Sequence, residues 1–137
     1  METYISGYRE VAHTADWELE VWAPTLAELL RQAARGMYAL SGIQIADRPR
    51  LQRQVDLEAS DAEGLLVAFL SELLYIGETE GLAFDQIEIE INHLTLHAEL
   101  SGAPITKTDK EIKAVTYHNL SVRAENNLLR ANIVFDV

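Results

Sequence analysis

The chain has 137 residues, of which 48% are hydrophobic and 24% charged, and its net charge is −11 at neutral pH. That length and balance fit one ordinary globular domain with a self-sufficient core, covering residues 1–137. The acidic surplus argues against tight nucleic-acid binding, which rests on phosphate neutralisation by Lys and Arg, and favours a cation or a basic protein partner.

With no cysteine in the chain, disulfides, thiolate zinc sites and thiol nucleophiles drop out. No apolar run approaches the roughly 20 residues of a membrane-spanning helix. Met1-Glu2-Thr3-Tyr4 lacks the basic flank and apolar stretch of a signal peptide, so the expected location is cytoplasmic, with no membrane partner.

Residues 3–11, with Tyr4, Ile5, Tyr8 and Val11, read as a short first strand or extended lead-in. His13-Thr14-Ala15-Asp16 is then a polar loop placed directly before an alternating run. Trp17, Leu19 and Val21 share one face of a strand, leaving Asp16, Glu18 and Glu20 on the other. Asp16 thus stands at a strand entrance, facing away from the core.

Thr25 and Glu28 have the spacing of a capping box, and Leu26, Leu29, Leu30, Ala33, Met37 and Leu40 recur on one helical face up to Gly42. After a loop, residues 51–58 alternate as a strand with one wet face. Ser60 and Glu63 repeat the capping-box spacing, with Asp61 in the first turn. A second helix then carries Leu65, Leu66, Phe69, Leu70, Leu73 and Leu74, and Gly77 and Gly81 bracket its end.

The remainder is strand-like. Residues 84–91 and 94–102 form a hairpin about Asn92-His93, a loop passes through Pro104 and Asp109, and residues 111–117 alternate. There Lys113, Val115 and Tyr117 fall on one face and Ile112, Ala114 and Thr116 on the other. Asn126-Asn127 turns the chain into a last strand whose inward set is Leu129, Ala131, Ile133, Phe135 and Val137, so Asp136 points outward. The predicted fold is an α+β sandwich: two helices packed on a curved, mixed or antiparallel sheet.

Asp16, Asp136 and the α-carboxylate of Val137 would make an oxygen-rich site for a hard divalent cation, calcium or magnesium, if the two strand ends meet. Two carboxylates about 4 Å apart repel by roughly 1 kcal/mol in water and about 4 at an effective dielectric of 20, and a cation reverses that sign. From spacing alone, an outward aspartate at a strand end is more commonly a solvated or turn-capping residue.

His13, His93, His97 and His118 lack zinc-motif spacing, and His13 and His118 are the better placed for function. No serine has a nucleophile-elbow context and every glycine is isolated, which leaves neither a triad nor a phosphate loop. Lys113 either balances charge on an acidic surface or provides a basic contact for a partner or a nucleotide-loaded site.

Four motifs in order, His13-Thr14-Ala15-Asp16, the run LLVAFLSELL at 65–74, EIKAVTYH at 111–118 and the ending Val134-Phe135-Asp136-Val137, resemble the archease family across essentially the whole chain. The departures are Trp17-Glu18, where a smaller pair such as Ile-Gly is expected, and Asn119 in place of Gly; neither touches a proposed ligand. The resemblance implies an accessory protein, not itself an enzyme, for the RtcB-type RNA ligase of tRNA splicing and repair. It would promote guanylylation of the ligase histidine and multiple turnover. By the same resemblance the metal site falls on Asp16, Asp136 and Val137, and Lys113 matches a position important for activation, with His13 and His118 as further partner-facing candidates. The alternative is a general chaperone-like modulator of RNA-modifying enzymes such as tRNA methyltransferases.

Overall fold

A computed structural model describes residues 5–12 and 17–137. The alternation after the polar loop forms β2 (Trp17–Ala23), where Leu19, Val21 and Ala23 are buried. β2 lies antiparallel to the last strand, β9 (Leu128–Asp136), with Leu19 opposite Ile133 and Val21 opposite Ala131. β1 (Gly7–Val11) covers the other edge of β2. On the far edge of β9, β7 (Ala114–Val115) pairs with its C-terminal end and β8 (Arg123–Glu125) with its beginning.

A second sheet has β6 (Thr95–Lys107) at its centre, flanked by β4 (Leu51–Glu58) and β5 (Leu82–Asn92), with β3 (Gln44–Ile45) at the far end of β6. Every strand pairing among the described residues is antiparallel. The α+β class and the two packed helices therefore stand. What alternation does not reveal is that the strands divide between two sheets.

The helices join them. α1 (Leu26–Ser41) packs on β1 and β2 of the first sheet and β5 of the second, and α2 (Ala62–Glu80) on β4 and β5 of the second and β7 of the first. α2 buries Leu65, Leu66, Val67, Phe69, Leu70, Leu73 and Ile76, more than one stripe, as a helix enclosed on several sides does.

Thr25 caps α1, accepting from the Glu28 N–H at 3.2 Å. The reciprocal half of the box is absent, because the Glu28 carboxylate takes Arg31 and Gln32 instead. For α2 the cap is Asp61 rather than Ser60: the helix begins at Ala62, and Asp61 Oδ1 accepts from the Gly64 N–H at 2.7 Å. Glu63, freed from a capping role, accepts from the backbone N–H of Val122 at 2.8 Å.

Two strand boundaries differ from expectation. β6 continues through Pro104, since proline loses only a donor and its carbonyl still accepts from the Ala46 N–H at 2.9 Å. The strand expected over 111–117 shrinks to two residues. Ile112 and Val115 are both buried and Tyr117 is exposed, so the face pattern assigned there, with Lys113, Val115 and Tyr117 together, does not hold.

Candidate functional site

At the C-terminal end of β9 the 111–118 segment meets the final motif. Phe135 is fully buried and stands in register with Trp17 of β2 on one side and Val115 of β7 on the other. Asp136 follows it and is exposed, as the alternation requires, and Val137 is half-buried. The sequence thus placed the Asp136 carboxylate correctly, because a strand with a fully buried face fixes which side each residue occupies.

Lys113 is brought to this end by its backbone. Its N–H donates to the Asp136 carbonyl at 2.7 Å, and Ala114 is the register partner of Asp136. The next bond of the ladder runs from the Thr116 N–H to the Val134 carbonyl at 3.0 Å. The Lys113 and Asp136 side chains are both exposed, and among the described residues neither has a hydrogen-bond or ion-pair partner. Asp136 therefore offers hard oxygen donors that no neighbouring cation has claimed, which fits a divalent ion. Among the described residues, no three His, Asp or Glu side chains assemble as a metal-holding group. Asp16 and His13, the other half of the expected constellation, lie outside the described residues.

His118 is exposed just beyond β7. Thr116, which sequence reasoning did not single out, organises that turn. Its hydroxyl donates to the Val134 carbonyl at 3.0 Å and accepts from the His118 N–H at 3.2 Å. A threonine two residues before a turn is the signal that could have found it. Tyr117, 61% exposed, stands out beside it as a large apolar group in water.

The other histidines are placed elsewhere. His93 takes the left-handed conformation of the β5–β6 hairpin, with φ 59°. His97 faces outward from β6, as expected, yet it is not merely solvated: Asp56 of β4 and Glu99 lie 2.7 and 2.8 Å from its two ring nitrogens. Hydrogen bonding to Glu99 first, and to Asp56 next, holds its pKa above the ordinary histidine value.

Fold and site together define a class: a small α+β protein of two antiparallel sheets bridged by two helices, with Asp136 and Lys113 brought to one pole. The chain belongs to the archease protein family, whose model matches residues 8–137. It is 32% identical over 118 residues to the archease of Thermococcus gammatolerans, covering 80% of this chain and 83% of that one. With the archease of Methanopyrus kandleri it shares 30% over 138 residues, covering 95% and 99%. A Thermotoga maritima crystal structure, described as an archease and possible chaperone, superimposes with a TM-score of 0.70 over 100% of this chain and 98% of that one. At 23% identity that likeness speaks for the fold. No helix among the described residues is long and apolar enough to cross a membrane.

Proposed function

We propose that this protein is a divalent-cation-binding accessory factor that activates an RtcB-type RNA ligase by promoting its guanylylation and multiple turnover. The observation that carries the reading is the 2.7 Å bond from the Lys113 N–H to the Asp136 carbonyl, which ties two exposed, unpaired charged residues from distant parts of the sequence to one pole. The ligase as partner is what the resemblance of the sequence motifs to archeases implies.

In this reading Asp136, the Val137 α-carboxylate and Asp16 hold calcium or magnesium through oxygen atoms. When bound, the ion neutralises the clustered carboxylates and presents positive charge to the ligase. Lys113 adds a further cation beside it, and His118, positioned by Thr116, contacts the partner at the rim together with His13. None of these groups needs to bind RNA, in keeping with the acidic surface.

Guanylylation of the cognate ligase, measured with and without this protein across calcium and magnesium concentrations, tests the proposal. Stimulation should depend on the divalent ion. It should vanish in Asp136→Ala and fall in Lys113→Ala, and one residue appended after Val137 should abolish it. Full stimulation by all three folded variants would refute the site.

The description of the Thermotoga maritima relative as a possible chaperone favours a second reading, a modulator of RNA-modifying enzymes such as tRNA methyltransferases. Stimulation of such a methyltransferase without any effect on ligase guanylylation would select it.

A further inference from the structure

Away from that pole, the C-terminal halves of α1 and α2 frame a cleft of about 120 Å³, closed on a third side by the segment that leads from β6 to β7. Met37, Leu73, Leu74, Ile105 and Ile112 give it apolar walls. At about 30 Å³ per water in the liquid, a cleft of that size has room for about four waters, which suits one long side chain and is too small for a helix or strand.

Its electrostatics are one-sided. Glu78, in the last turn of α2, and Glu111, ahead of β7, both line it, and among the described residues neither carboxylate has a hydrogen-bond or ion-pair partner. Ser41, the last residue of α1, and Gly77 in the last turn of α2 line it too, so both helices end at the cleft. Neither helix has a basic residue in its last turn, so no side-chain cation offsets the partial negative charge of either C-terminus, although in α1 the Ser41 hydroxyl donates to the Met37 and Tyr38 carbonyls. Of the nearby lysines, Lys107 is paired with Asp109, and Lys110, whose backbone N–H donates to the Ser41 carbonyl at 3.1 Å, does not line the cleft.

Apolar walls alone would suit a leucine, and a purely acidic rim would suit a hydrated ion. The combination suits a side chain with an apolar stem and a charged head. Arginine fits better than lysine, because guanidinium is less strongly hydrated and its fork of donors can serve two carboxylates at once. We propose that this cleft is a socket for an arginine side chain presented by a protein partner, its methylenes against Leu73, Leu74 and Ile112 and its guanidinium between Glu78 and Glu111.

The test is a titration of the isotopically labelled full chain with the blocked tripeptide acetyl-Leu-Arg-Leu-amide, following amide resonances. Its control is the citrulline peptide, in which a neutral urea of the same size replaces the guanidinium. Saturable shifts are expected at Ser41, Gly77, Ile105 and Ile112 with the arginine peptide, and about tenfold weaker binding of the citrulline peptide, the loss of one charge-assisted hydrogen bond. Glu78→Gln combined with Glu111→Gln should weaken the arginine peptide by a similar factor while the thermal melt confirms an intact fold. Absent shifts, equal binding of the two peptides, undiminished binding to the double variant, or shifts confined to the Asp136 pole would each overturn the proposal. Because no ligase takes part, the outcome is independent of the function proposed above.

Discussion

Across most of both sheets the outward polar residues are engaged with one another, and at the C-terminal end of β9, among the described residues, they are not. On the second, polar groups answer one another across strands: His97 lies between Asp56 and Glu99, Gln54 reaches Glu99, and Arg50 binds Asp85 and Ser101. On the first, Arg9 binds Glu20, Asn132 donates to Glu18 and Arg123 binds Glu125, yet at the β7 edge Lys113 and Asp136 remain without a side-chain partner among the described residues. Groups already engaged in a network have little left to offer a ligand, whereas those at the end of β9 keep their full donor and acceptor capacity. The contrast separates a surface that staples the fold from one available for binding.

The largest effect should come from removing what holds the end of β9 in register. Phe135→Ala deletes a fully buried ring where β2, β9 and β7 meet and should cost about 3–5 kcal/mol in urea unfolding. A loss well below that range would mean the pole is loosely packed. On the other sheet, Gly102→Ala would place a Cβ against the Ala83 carbonyl oxygen, a backbone atom that cannot swing aside. About 1–3 kcal/mol of destabilisation by the same measurement is expected.

Asp61→Ala removes the α2 cap and should cost about 1 kcal/mol. Asp136→Ala sharpens the contrast from the other direction. With no protein partner to lose among the described residues, it should shift stability by no more than about 0.5 kcal/mol while eliminating the ligase stimulation proposed above.

The smallest effect is pH-dependent. Since the folded-state pKa of His97 is raised by Glu99 and Asp56, its contribution is fully present below the unfolded value of about 6.5 and fades as pH rises through the folded value. Glu99, whose pKa is lowered chiefly by His97, contributes above the ordinary glutamate value and fades as pH falls through its folded value. His97→Gln should therefore lower the urea midpoint slightly near pH 5.5 and hardly at all well above neutrality. An equal deficit at high pH would show that the histidine serves through packing rather than charge.

Periodicity located β2, β4 and β9 and both helices well, because each has a face whose burial admits one phase only. It failed at 111–117, where Ile112 and Val115, three residues apart, both turn inward against α2 and its surroundings and only tertiary packing decides the path. Side-chain competition was also illegible: nothing local says that Asp61 rather than Ser60 will cap α2, or that Glu63 will reach a backbone amide far along the chain. Of the candidate site, the outward aspartate on β9 could be read from alternation, whereas the approach of Lys113 to it depends on a short strand pairing that no pattern announces.

That long-range tie from Glu63 has a mechanical meaning. It fastens the first turn of α2 to Val122, in the segment connecting β7 and β8. Force applied to that connection by a docked protein would be felt at the start of a helix packed into the core, so the outer rim and the interior are tethered by one carboxylate.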